Sequence, residues 1–438
     1  MNRTSLIMLT SIIALIVMML MLREPKPSAQ AGDPITVFCA ASNRAVIEAI
    51  RVDYERQFKR SVQVQYGPSQ TLLSSIEVSG TGDLFLPADA SYLEIGREKH
   101  LIAEQIPLAE MHAVVAVAKG NPKDITSLAD LLKTHVRVVQ ASPDVAAIGK
   151  VTRATLQTTA QWELLDRATT AYRTTVSDVA NDVVVGAADA GIVYDAVLHE
   201  YPQLEAVQIA ELESAVSAIA IGVVASSKQP AVALHFARFV AAGDRGLRHY
   251  AAHGFQVSTG DDWADVPELS LFAGSMLRPV IEDTITAFEK REGVSVNRVY
   301  NDCGILVAQM KAGQHPDAYF ASDREFMIQV PDLFPAPVDV SQHELVILVK
   351  SPTGDMLVNQ LRTGSLDAAG VYLSNAAGEG EELEAIQIHG IKCSVATQSF
   401  AVSMNTHYPQ LTARLFERLC SAESRDSFEA EGFRWHVK

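Results

Sequence analysis

From residue 35 onward the chain alternates between two apolar patterns. Short runs such as ITVFCA (35–40) are apolar at nearly every position, and they read as buried strands. Between them lie longer stretches in which apolar residues recur every three or four positions. In the first, Val46, Ile47, Ile50, Tyr54 and Phe58 share one face of a helix running from Asn43 to Phe58. The series continues as strand SVQVQY, helix Thr71 to Val78, strand DLFLPA and helix Ala90 to Glu98. Strand HAVVAVA, helical Ser127 to Leu132 and strand VRVVQA follow. Such alternation predicts an α/β protein with mostly parallel sheets.

The same plan is written twice. VFCAASNRAVIEAI (37–50) returns as LFAGSMLRPVIEDTI (271–285), with Ser42 over Ser275. YGPSQTLL (66–73) lies over YNDCGILV (300–307), and GDLFLPAD (82–89) over PDAYFASD (316–323), both at an offset of 234. Near the end GAADAGIVY (186–194) lies over GSLDAAGVY (364–372), and HGF (253–255) over EGF (431–433), at an offset of 178. The drop from 234 to 178 means that the second copy lacks about 56 residues from its middle. Copy one runs from about 35 to 260, and copy two from 268 to 438. DDWADVPE joins them.

Two features place the chain. LIMLTSIIALIVMMLML (6–22) follows Arg3 and precedes Arg23, Glu24 and a Pro-rich stretch. This predicts an export signal or a membrane anchor within residues 1–31, with Ala29-Gln30-Ala31 as a small-x-small cleavage site. The run has no cysteine, which excludes a lipoprotein anchor there, and the bulk of the chain is expected outside the cytoplasmic membrane. The net charge of −16 over 438 residues, with no basic stripe, argues against nucleic acid. Cys39, Cys303, Cys393 and Cys420 form no CxxC pair or zinc spacing, so scattered thiols are expected and no metal site.

Candidate chemistry sits where strands end. ITVFCAA delivers Ser42, and SVQVQYGP delivers Ser69 and Gln70, to the starts of helices. In open α/β sheets, ligands bind beyond the carboxyl ends of the strands. A serine there ordinarily caps its helix. Two such corners converging on one cleft could instead surround an anion with hydroxyls and unpaired N–H groups, without a positive side chain. Arg44, in the first turn, is expected to point to solvent.

ITVFCAASNRAV, YGPSQTLLSSIE, GDLFLPAD, AAIGKVTRATL and AADAGIVYDAV, in this order, resemble the molybdate-binding proteins of bacterial ABC importers. The resemblance covers essentially all of copy one. It implies a type II periplasmic-binding-protein fold: lobe I (about 35–112 and 218–260), lobe II (about 113–217) and a hinged cleft. It further implies capture of molybdate or tungstate for an ABC permease, with no cofactor and no chemistry on the ligand. Carried across, the donors are the hydroxyls of Ser42, Ser69 and Tyr194 and the backbone N–H groups of Ile148 and Val176. The turn DVAAIG lacks the proline often found before the Ile148 position. Copy two keeps Ser275 and Tyr372, has Cys303 for the second serine, and is expected to hold one lobe and a stub that packs or docks.

Other readings remain open on the residues alone. A ferric or other solute receptor would share the fold, but Asp195 rather than a second tyrosine follows Tyr194. A tethered sensor or interaction protein is a second. An enzyme using Cys303 is a third, although no spacing links it to His315 or His343.

Overall fold

The computed structural model describes residues 32–349, 368–372, 384–387 and 395–437. In copy one, β1 (Ile35–Ala40) lies between β2 (Val62–Gly67) and β3 (Leu84–Leu86), all parallel. Its Ile35, Val37, Cys39 and Ala40 are buried, as a central parallel strand covered on both faces requires. Helices α1 (Arg44–Phe58), α2 (Ser69–Ser79) and α3 (Ser91–Glu98) follow these strands in turn. Then β4 (Ile102–Ala118) leaves for the second lobe. There β5 (Val138–Ala141), β6 (Thr169–Arg173), β7 (Ala190–Tyr194) and β8 (Leu204–Val207) form a sheet with helices α4 (Ala147–Gln157) and α5 (Val176–Val184). The chain returns along β9 (Val216–Val224), adds α6 (Pro230–Ala241) and ends the copy at β10 (Gln256–Val257).

The sheet order is β2-β1-β3-β9-β4-β7-β5-β6. It is mixed, not mostly parallel as the alternation predicted. A chain that leaves one lobe and comes back must lay its outgoing and returning strands side by side in opposite directions, so β9 pairs antiparallel with β4. Because β4 is long, its first part pairs β9 within lobe I, while Ala113 to Ala118 pair β7 and β8 of lobe II. His112 is the crossing point. Its N–H donates to Asp195 Oδ1 at 3.0 Å, and its carbonyl accepts from Asp195 N at 2.9 Å.

Copy two repeats the first lobe. Strands β11 (Glu268–Gly274), β12 (Ser295–Asn301), β13 (Ala318–Ala321), β14 (Val338–Val349), β15 (Ala368–Tyr372) and β17 (Val395–Val402) follow the order β12-β11-β13-β17-β14-β15. Two further strands, β16 (Glu384–Gln387) and β18 (Arg434–Trp435), pair with β14. Helices α7 (Arg278–Glu292), α8 (Cys303–Lys311) and α9 (Pro409–Leu419) stand for α1, α2 and α6. The likeness extends to single bonds. Asp83 accepts from Thr36 N at 2.9 Å and Asp317 from Ser270 N at 2.7 Å. Tyr66 donates to Glu48 at 2.6 Å and Tyr300 to Glu282 at 2.8 Å. Each first helix ends in a left-handed residue, Lys59 (φ 56°) or Gly293 (φ 67°).

The copies are fastened together. Asp261, in the linker, accepts from Gln410 N at 2.7 Å and Leu411 N at 3.0 Å, capping the start of α9. Glu292, 1 % exposed, faces Arg238 of copy one and Arg414 of copy two. Arg291 grips Glu104 through two bonds of 2.7 and 2.9 Å. Among the described residues, the side-chain bonds between the copies fall on lobe I or the linker. No helix among the described residues is long and apolar enough to cross a membrane, and residues 1–31 lie outside them.

Candidate anion-binding cleft

Five predicted donors line one hollow between the lobes: Ser42, Ser69, Ile148, Val176 and Tyr194. All are buried, at 6 %, 2 %, 2 %, 5 % and 1 % exposure. The hollow is narrow, about 20 Å³, against about 680 and 720 Å³ for the open grooves along the seam between the copies. Small residues make it possible: Ala40, Ala41, Gly67, Ala88, Ala146 and Ala147 form the rest of the wall, with Pro68, Thr174 and Thr175. Among the described residues, none of the lining side chains carries a charge.

Each corner has its own construction. Ser42 sits in the 3-10 turn Ala41–Asn43 that leads into α1. Ser69 is the first residue of α2, behind Pro68. Neither hydroxyl caps its helix, so the ordinary role of such serines is not the one seen. Ser69 Oγ instead accepts from Ala88 N at 3.1 Å, which ties the second corner to the end of β3. Since Oγ is accepting there, its own proton is free to point into the hollow. Ser42 Oγ meets Asn43 Nδ2 at 3.5 Å, and the same amide reaches Pro87 O at 3.4 Å.

The second lobe contributes backbone. α4 has no side-chain cap, so the N–H groups of Ala147, Ile148 and Gly149 lack an acceptor within the helix. Gly149 lets this terminus come close to β5: a Cβ there would lie 2.3 Å from Ala141 O. At α5 the Thr175 hydroxyl takes the N–H of Asp178 at 3.2 Å, and the Asp178 carboxylate answers to Thr175 N at 3.2 Å. That capping box serves the third residue of the helix and leaves the N–H of Val176, the first, for a guest. Four helix starts therefore converge, each with a positive dipole end.

Tyr194 closes the ring of donors. Its hydroxyl lies 2.8 Å from Ser217 Oγ, on the returning strand β9. Burial raises its pKa well above the ordinary phenol value, with the nearby Asp89 carboxylate adding to the effect, so the proton stays on. An oxyanion offers only acceptors. A guest of that kind would take the Tyr194 proton and leave the Tyr194 oxygen to accept from Ser217. The lobes are already in contact across the cleft mouth: Gln70 N donates to Val145 O at 3.3 Å, and Lys150 Nζ to Ser91 Oγ at 3.0 Å.

Arg44 is exposed but not free in solvent; its guanidinium lies over the Tyr66 ring at 4.4 Å. Asn43, Ser217 and Lys150 support the cleft from outside its lining, and of the three only Asn43, directly after a candidate serine, is marked in the sequence. Ser217 and Lys150 could be found only through the pairing of distant elements.

Copy two does not build the same hollow. Cys303 occupies the place of Ser69, and its Sγ accepts from Ser322 N at 3.1 Å, as Ser69 accepts from Ala88 N. Ser322, where copy one has Ala88, turns its hydroxyl to 3.3 Å from that sulfur. A Cβ on Gly274, where copy one has Ala41, would fall 1.8 Å from the Ser322 hydroxyl. The side chain of Ser322 thus takes up space that alanines leave open in copy one. Ser275 is exposed, and Tyr372 ends β15 opposite Leu345. The stretch that would carry a counterpart of Ile148, between Lys350 and Leu361, lies outside the described residues. Cys39, Cys303 and Cys420 are free thiols, the first two buried, and Cys393 is outside the described residues. Among the described residues no group of three His, Cys, Asp or Glu could hold a metal ion.

The chain matches the family of bacterial extracellular solute-binding proteins over residues 35–256 and again over 269–355. The molybdate-binding proteins ModA of Mycobacterium tuberculosis and Mycobacterium bovis are 32% identical over 234 residues, covering 51% of this chain and 86% of each relative. Among solved structures, the periplasmic molybdate-binding protein of Azotobacter vinelandii aligns with 51% of this chain and 100% of its own, at 16% identity and a TM-score of 0.46. Iron-bound HitA of Pseudomonas aeruginosa aligns with 51% of this chain and 89% of its own, at 18% identity and a TM-score of 0.42.

Proposed function

The chain belongs to the bacterial extracellular solute-binding proteins, and on that premise we propose that copy one captures a tetrahedral oxyanion, molybdate or tungstate, for an ABC permease. The observation that carries this reading is the hollow lined by Ser42, Ser69, Ile148, Val176 and Tyr194, where no lining side chain among the described residues is charged. Neutral donors choose by number and spacing. A fully ionised dianion can satisfy all of them at once, whereas a guest with protons of its own would meet donor against donor. The identity shared with the mycobacterial ModA proteins points to the same class of cargo.

The mechanism is capture without chemistry. An open cleft offers Ser42 and Ser69 from lobe I, and the anion completes the site when lobe II brings Ile148, Val176 and Tyr194 against it. Closure removes water, so each donor acts in a low dielectric. The binding unit is copy one, 35–260, with copy two (268–438) riding on lobe I as a packing or docking element. Residues 1–31 direct the chain outside the cytoplasmic membrane, cleaved or retained as an anchor.

Ferric ion is the competing cargo within the fold. Asp195, the carboxylate nearest Tyr194 in sequence, is engaged with the N–H groups of His112 and Ala196 at 3.0 and 2.8 Å, which disfavours it as a metal ligand. Thermal unfolding with molybdate, tungstate, sulfate, phosphate and ferric citrate tests the proposal. A guest that binds only the folded form raises the midpoint by mass action. Molybdate and tungstate should raise it strongly and ferric citrate not at all; a shift with ferric citrate alone would contradict the reading.

A further inference from the structure

Lys150 occupies an unusual place. It lies on α4, directly after Gly149 and two residues beyond Ile148, yet its ammonium is bonded to the other lobe. Nζ donates to Ser91 Oγ at 3.0 Å and stands 4.7 Å from the centre of the Tyr92 ring. Ser91 and Tyr92 open α3 of lobe I. Tyr92 is buried, and burial pushes its phenol up to about 12, so the ring meets the cation as a neutral π-face. Among the described residues, no carboxylate forms an ion pair with Lys150. Its bonds lie across the cleft mouth, beside the backbone bond from Gln70 N to Val145 O.

We propose that Lys150 is the latch of the cleft, a positioning residue that holds lobe II on lobe I after capture and thereby sets how long the anion stays. This rests on the reading of the cleft as an oxyanion site. The donors that touch the anion fix which guest is chosen. Among the described residues the Lys150 ammonium bonds only the opposite lobe, so those bonds exist in the closed form and vanish on opening. An interaction of that kind slows release and leaves the rate of encounter nearly unchanged. Because the ammonium rests on a hydroxyl and a ring rather than a carboxylate, the latch is weak enough to let go when another surface competes for either lobe.

The test uses the full chain with Lys150→Met, which keeps the apolar stem, and Lys150→Gln, which keeps a neutral donor for Ser91. Molybdate association and release are measured by stopped flow. Amide exchange at Gln70 is followed in ligand-free protein, since its acceptor is Val145 O of the other lobe. Lys150→Met should release molybdate about tenfold faster, with association changed less than about twofold at physiological salt. Gln70 should exchange several-fold faster, and Lys150→Gln should fall between wild type and Lys150→Met on both readouts. Unchanged release, or slower association with unchanged release, would overturn the latch. If wild type binds no oxyanion, the reading of the cleft fails by itself. Gln70 exchange still decides the latch: faster exchange in Lys150→Met supports it, and equal exchange refutes it.

Discussion

Ser42 and Ser69 hold matching corners, but their hydroxyls have different obligations. Ser69 Oγ accepts from the buried Ala88 N–H, whereas Ser42 Oγ meets only the Asn43 amide at 3.5 Å. Ser42→Ala should therefore weaken oxyanion binding about 10- to 100-fold, the range for a hydrogen bond to a charged group, while the unliganded protein melts almost as before. Ser69→Ala should lose similar affinity and also about 1–3 kcal/mol of stability, because Ala88 N–H is left without its acceptor. Calorimetric titration beside denaturant unfolding separates the two effects. Ser217→Ala should weaken binding roughly tenfold, and Ser217→Thr should restore it, if the hydroxyl at 2.8 Å orients the Tyr194 proton. At this scale the sequence shows side chains in repeated motifs and little else. Ser42 stands out because a serine follows a strand and opens a helix twice in one chain, and Ser69 because its corner recurs with Cys303 in its place. Ile148 and Val176 give through the backbone and leave no trace in residue type. Ser217 depends on Tyr194 of a distant strand and Lys150 on partners in the other lobe, and no local pattern records that.

The elements matter through their ends. α4 and α5 are ordinary amphipathic helices whose first turns are built to different rules: one uncapped, the other with a capping box at its third residue. Apolar periodicity can mark the body of such a helix, but it is indifferent to which N–H groups stay unpaired. Gly149 shows how tightly one end is set. Gly149→Ala would push a methyl to 2.3 Å from Ala141 O, so α4 must retreat from the end of β5. The expected outcome is a loss of about 1–3 kcal/mol in stability together with most of the molybdate affinity, since the Ile148 N–H moves with the helix. The same variant with normal affinity would remove the α4 start from the site. The alternation of strand and helix also hides the two lobe crossings. Both crossing strands look like any other apolar run, which is why the mixed sheet was not legible.

At the scale of the molecule, the chain carries the cleft of copy one and, fastened to it, a second copy of lobe I. Copy two is fastened through Glu292, whose carboxylate is buried between Arg238 and Arg414; the guanidinium of Arg414 holds its pKa down against the opposing effect of burial. Glu292→Ala leaves two buried guanidinium groups without their anion and should cost about 3–5 kcal/mol, read as a lower denaturant midpoint. Acid should loosen the molecule as well. Burial lowers the pKa of His343 to about 4 and that of His235 below its ordinary value. The unfolded chain then takes up protons near pH 6.5 that the folded chain refuses, so stability is complete above that pH and declines as pH falls towards 4. Urea midpoints at pH 7.5, 6.5 and 5.5 should decrease in that order. Most of this architecture was visible as a repeat with a shortened middle; the sealing of the second hollow by Ser322 was not, because it depends on the space left by Gly274. The central claim, that hydroxyls and helix-start amides of copy one grip a dianion, is tested most directly by anomalous diffraction at the molybdenum or tungsten edge from crystals grown with the oxyanion. The account predicts one peak per chain, among Ser42, Ser69, Ile148, Val176 and Tyr194, and none beside Ser275 and Cys303. A peak along the seam between the copies, or no peak in the cleft, would contradict it.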